Sequence, residues 1–373
     1  MRSVAAASLI IFSCVASTTS AAPAIPAPFT GGFPNPNADQ LNTIELAAHG
    51  SLPVSAPNSP PPSFHPDSLT SLRFIAFNEL FEVAFFASLI NNITTDAAGF
   101  KIDNSNEKKD LLDNLNAIVA QEELHALNAN KALNASKVDQ IQPCKYVFPS
   151  ENIQDAIALA SKFTDVVLAT LPDLQTGFAN NNDNGLIRGV GSVIGQEGEQ
   201  NGFFRQYAHA KKIPSALPFL TAGSREFAFS ALNQNFVVKG SCPNIQDIDI
   251  QPIATALNVP SSVDAKSQNI QFSFDFVGAM NAEWAGPAKD YSGLSLVYIN
   301  QQNAPVVEKL QNVVPVISGN ELLLKFEALF PFNGTTFGNG LTIAAIVPTG
   351  ADLSSVETVS AAAIAGPGLI EVN

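Results

Sequence analysis

The sequence predicts an α+β protein with its two classes in series: a bundle of four long helices, then an all-β, sandwich-like domain. Three observations carry this. Between Ser68 and about Ala210, apolar residues recur at three- and four-residue spacing, and Asn, Gly or Pro breaks interrupt the pattern. After Gly240 the period falls to two, most strictly in Asn269-Ile-Gln-Phe-Ser-Phe-Asp-Phe-Val277. The composition, 46% hydrophobic with 26 Phe in 373 residues, supplies a large core and excludes disorder throughout.

Taken in order, residues 1–20 run from Met1-Arg2 through an apolar stretch, Val4 to Val15, into small residues. That reads as a secretory signal peptide cleaved near Ser20–Ala22. No later stretch reaches about 18 consecutive apolar residues, so no membrane helix is expected. Residues 21–66 hold 11 of the 25 prolines and read as an extended arm, interrupted by a helical patch from Leu41 to Ala48. Residues 67–240 form the helical domain, with helices expected near 68–92, 107–133, 151–179 and 186–211, and a shorter one at 223–233. Residues 241–373 form the β-rich domain. Its other strands are expected at 294–299, 322–328 and 341–347, where the alternation is less clean.

Charge removes one class of function. With 33 acidic against 19 basic residues, a net charge of −14 and no Lys/Arg cluster, the surface would repel nucleic acid. There is no Walker motif and no Gly-x-Ser-x-Gly turn. Gly189-x-Gly191-x-x-x-Gly195 follows no strand and is read as small residues that let helices approach closely. In an oxidising compartment, Cys144 and Cys242, left once Cys14 departs with the signal peptide, are expected to bridge. Asn92, Asn134 and Asn333 head glycosylation sequons. His49 and His65 lie in the arm and read as solvated.

The chemistry lies where polar residues interrupt the helical stripes. Leu72, Ile75, Glu79, Glu82, Phe86 and Leu89 follow one face. So do Leu111, Leu115, Ile118, Glu122, His125 and Ala129, and Leu186, Val190, Val193, Glu197, Gln200 and Phe204. Four glutamates and a histidine thus point where a bundle buries its core, and buried carboxylates are costly unless paired, protonated or bound to metal. Glu122-Glu-Leu-His125 is a Glu-x-x-His pair, whose side chains rise from adjacent turns and can meet at one ion, as in ferritin-like carboxylate proteins. A second pair is incomplete: Gln200 stands where its histidine would be, and Thr164 stands where the third helix would supply a carboxylate. The donors suit iron, manganese or zinc, and one ion at most is expected. The competing reading is a buried polar network in which Arg73, Arg188 or Arg205 compensates the glutamates without any ion.

Phe77-Asn-Glu-Leu-Phe-Glu-Val-Ala-Phe-Phe86, Phe163-Thr-Asp-Val-Val-Leu-Ala-Thr-Leu171, the run from Gly189 to Phe204, and Phe227-Ala-Phe-Ser-Ala-Leu-Asn-Gln-Asn-Phe236 resemble the secreted fungal ferritin-like proteins. These are the stress-response and late-sexual-development proteins of filamentous fungi. The resemblance spans the mature chain, most specifically residues 70–245. It implies a role in stress or sexual development and no established reaction. The chain is accordingly expected to be secreted, in the cell wall or extracellular matrix, and non-enzymatic. The alternative is a metal-dependent oxidase or metal-sequestering protein with Glu79, Glu82, Glu122, His125 and Glu197 as ligands.

Overall fold

The computed structural model describes residues 29, 31–54, 62–207, 212–276, 291–318 and 321–372. Residues 1–20, read as a signal peptide, and the end of the expected fourth helix, 208–211, lie outside them. Helices occupy the N-terminal part: α1 (Ala38–Ala47), α2 (Pro66–Thr94), α3 (Ser105–Ala135), α4 (Ile153–Asn180), α5 (Ile187–Tyr207) and α6 (Arg225–Asn235). Short polar side chains start them. Asn104, Asn152 and Ser224 each accept a hydrogen bond from a first-turn N–H of α3, α4 and α6. His65 does the same for α2, its Nδ1 accepting from Asp67 N at 3.2 Å, so it is a helix cap and not merely a solvated loop residue.

Helix α2 is the central element. By length and composition it could cross a membrane, yet most of it is buried inside the protein. Phe77, Phe81, Phe85 and Phe86 are almost wholly inaccessible, and Phe81 and Phe85 both meet Phe163 of α4 edge-on, at 5.2 and 4.9 Å between centroids. Helix α2 packs on α3 and α4, and α4 on α5. Of the three glycines read as permitting close approach, only Gly191 does so: a Cβ there would lie 2.9 Å from Gln175, while Gly189 and Gly195 face open space.

The C-terminal part holds two antiparallel sheets. Strands β1 (Gln268–Asp275), β2 (Leu294–Asn300), β3 (Val306–Lys309), β4 (Gln311–Ser318), β5 (Glu321–Phe330), β6 (Gly340–Pro348) and β7 (Ala365–Val372) pair in the orders β1-β5-β4 and β3-β2-β6-β7. A short helix, α7 (Val356–Ala362), precedes β7. Phe272, Phe274, Phe326 and Phe330 of the three-stranded sheet share one core with Leu296, Tyr298, Ala344 and Ile346 of the four-stranded sheet. The intervening residues, Val297, Ile299, Leu341, Ile343 and Ala345, belong to the helical core instead. The four-stranded sheet is therefore covered on both faces, by the other sheet and by the helices.

A disulfide joins Cys144 to Cys242. Beside it Val147 N donates to Phe236 O at 2.8 Å and Val238 N to Lys145 O at 2.9 Å, so the segment after α3 is also paired with the one after α6. At Gly223, whose N–H donates to Ala169 O at 2.9 Å, a Cβ would lie 2.9 Å from the Ala169 methyl. The missing side chain lets the chain enter α6 against α4.

Candidate metal centre

The interrupted stripes converge. Glu79 of α2, Glu122 and His125 of α3, and Glu197 of α5 bring one donor atom each to within 4.8 Å of one another, and could hold a metal ion. Each helix supplies its ligand because an apolar stripe on either side forces that face inward. His125 is the hub. Its Nδ1 lies 2.9 Å from Glu122 Oε2, 3.4 Å from Glu79 Oε2 and 4.0 Å from Glu197 Oε1. The three carboxylates are fully buried, whereas the imidazole keeps a small exposed fraction.

The other expected residues surround this group. Glu82 is fully buried, and its Oε1 accepts from Asn78 Nδ2 at 3.2 Å. Gln200 donates its amide N–H to Glu122 Oε1, so a neutral amide grips a carboxylate where a second imidazole would otherwise stand. Thr164 is fully buried with no hydrogen bond to its hydroxyl. Sequence reading missed two supporting amides. Asn78 lies four residues before Glu82 on the same face, which was a usable signal. Gln121 accepts from Gln196 Nε2 at 2.8 Å and donates to Ala48 O at 3.4 Å, tying α1, α3 and α5 together. Nothing local in the sequence pairs those helices.

The electrostatics are those of an acidic pocket with one cation. Burial raises Glu79 to about 7, despite His125, and raises Glu82 and Glu197 well above the ordinary carboxylate range, with neighbouring glutamates adding to it. Burial also opposes the charge on Glu122, but His125 and the Gln200 amide outweigh it, so its pKa falls. Burial would strip the proton from His125, and the Glu122 and Glu79 carboxylates overcome that and raise its pKa well above the usual value.

Arginine compensation is not what the structure contains. Among the described residues no arginine forms an ion pair with these glutamates: Arg188 is exposed, and Arg205 donates to Ile213 O at 2.8 Å and faces Glu371. Arg73 makes no such pair either. Among the described residues both oxygens of Glu197 and Glu82 Oε2 are buried without a hydrogen-bond donor, and Glu79 Oε2 faces only His125 Nδ1 at 3.4 Å. Orphaned buried acceptors beside a neutralising histidine are the environment a cation would complete, and three carboxylates with one imidazole fit iron, manganese or zinc.

The other expected modification sites are spread over the surface. Asn134 and Asn333 are exposed, and Asn333 Oδ1 accepts from Thr335 N at 3.1 Å. Asn92 is half-buried within α2.

Fold and site together define an α+β protein whose long helices bury a three-carboxylate, one-imidazole cluster able to bind a metal ion. A scan against protein-family models gives no match, and a search of curated proteins gives none either.

Proposed function

We propose that the four long helices form a ferritin-like bundle holding one iron, manganese or zinc ion, in a secreted, non-enzymatic protein of the fungal stress and sexual-development response. The observation that carries the metal reading is the convergence of Glu79, Glu122, His125 and Glu197 within 4.8 Å, with both Glu197 oxygens lacking any donor. The ion would be held by these four side chains and would supply the positive charge that lets the buried carboxylates stay ionised. Gln121 and Gln200 fix the α3 and α5 ends of the cluster, and Asn78 holds Glu82. The biological role rests on the sequence resemblance, and secretion on the N-terminal segment, with the Cys144–Cys242 bridge compatible with an oxidising compartment.

Non-enzymatic is the preferred reading because two-metal oxygen chemistry needs four carboxylates and two imidazoles with open positions. Here Gln200 and Thr164 occupy two of those positions. The oxidase alternative draws support from Glu82 Oε2, a free buried acceptor that could serve a second ion. Elemental analysis of the purified protein separates the two. One equivalent of transition metal per chain is expected, with loss of that metal in His125→Ala. Two equivalents, with oxygen consumption abolished by His125→Ala, would overturn this reading in favour of the oxidase.

A further inference from the structure

Between α1, α2 and α3 lies a cleft of about 480 Å³ that shares no residue with the metal cluster. Ile44 of α1 forms one wall, Val83, Ala87 and Ile90 of α2 another, and Val119 of α3 leads to Glu123. The α2 residues recur at four- and three-residue spacing, and Val119 and Glu123 are four apart, so each helix presents one stripe to the cleft. Among the described residues no lysine or arginine lines it. Glu123 is only 8% exposed, and it neither accepts a hydrogen bond nor forms an ion pair among the described residues.

The chemistry of such a site is narrow. A volume of this order, within the roughly 300–1,000 Å³ typical of small-molecule sites, takes a hydrocarbon or aromatic body along its apolar stripe, with Thr43, Asn91, Thr94 and Asn116 at its polar margin. A carboxyl that is largely buried and that no described protein group pairs has lost part of its hydration, and a ligand that brings a donor and a positive charge relieves that cost. Of the simple head groups, a protonated amine brings three donors and the complementary charge, a hydroxyl brings one donor and no charge, and a carboxylate would be repelled. We propose that this cleft binds a small apolar molecule carrying a protonated amine, with its ammonium paired to Glu123 and its hydrocarbon part along Val83, Ala87 and Ile90. This site is independent of the metal reading, because none of its residues is a proposed ligand.

Octylammonium chloride, below its micellar concentration, is the probe, titrated calorimetrically into the purified protein, with 1-octanol and octanoate as comparison arms. Saturable octylammonium binding is expected, about tenfold or more tighter than 1-octanol, with octanoate weakest. Glu123→Gln, nearly isosteric, should erase the preference for the amine, and Ala87→Trp should fill the cleft and abolish binding of both. Absence of saturable octylammonium binding, or binding unchanged in Glu123→Gln and Ala87→Trp, would overturn the proposal. Metal content is measured on each variant, so loss of the metal centre is read separately from loss of the amine site.

Discussion

Glu122 and Glu197 are both fully buried, yet their acidities move in opposite directions, because His125 and Gln200 donate to one and no described residue donates to the other. That contrast sets a pH dependence. A carboxyl whose pKa rises on folding keeps a proton the unfolded chain has lost, so it removes stability as pH climbs from its unfolded value to its folded one. Glu79 does so between about 4.5 and about 7, and Asp173, half-buried and hydrogen-bonded to Glu357, up to about 8. Raised His125 contributes stability at low pH and loses it as pH passes its folded pKa, while lowered Glu122 acts the other way, in acid. Metal-free protein should therefore resist urea better at pH 5.5 than at pH 8, and added metal should restore the loss at pH 8. Glu79→Gln should stabilise the metal-free protein at pH 8, on the order of 2 kcal/mol, while weakening metal binding. An unchanged urea midpoint between the two pH values would contradict this account. The ligand glutamates and His125 were legible because each breaks an apolar stripe. Gln121 and Gln196 were not, since their partners come from other helices.

Helices are legible nearly to their ends because each carries its own period, and α3, α4 and α6 also carry a short polar cap, Asn104, Asn152 and Ser224. Strands fared unevenly for a physical reason. The strand β1, with one face in the inter-sheet core, alternates strictly, whereas β2 and β6 are buried throughout and blur the alternation. Strands β4 and β7 escaped notice because Pro315 and the Gly366-Pro367-Gly368 run look like breaks. Both are edge strands, where a missing N–H can be tolerated. The disulfide follows from two cysteines alone, and it closes a loop of 98 residues between the segments after α3 and α6. Replacing both Cys144 and Cys242 by Ser should lower the unfolding free energy by about 4.7 kcal/mol in the chain-entropy account. Two free thiols on the denatured, unreduced protein would show that the bridge is not formed in solution.

At the scale of the molecule, the two halves legible as a serial order in the sequence are joined through one sheet. Periodicity reports which face of a strand is apolar, and for β2 and β6 it reports both, but it does not say what lies against each. Helices α4, α6 and α7 and the helical core cover the side carrying Val297, Ile299, Leu341 and Ile343. A chain ending at Gly240 would leave that helical surface bare, at roughly 25 cal/mol per Å² of apolar area returned to water. It should bind a dye for apolar surface and melt without cooperativity. A monomeric fragment with a sharp melting transition would contradict this. The same sheet has a kinetic consequence. Strands β2 and β6 are central in their sheet and covered above and below, so their amide hydrogens have no local route to solvent. They exchange only when the whole chain opens, which makes them the slowest clock in the protein. The edge strand β4, with Val314 half exposed, keeps time only for its own fraying.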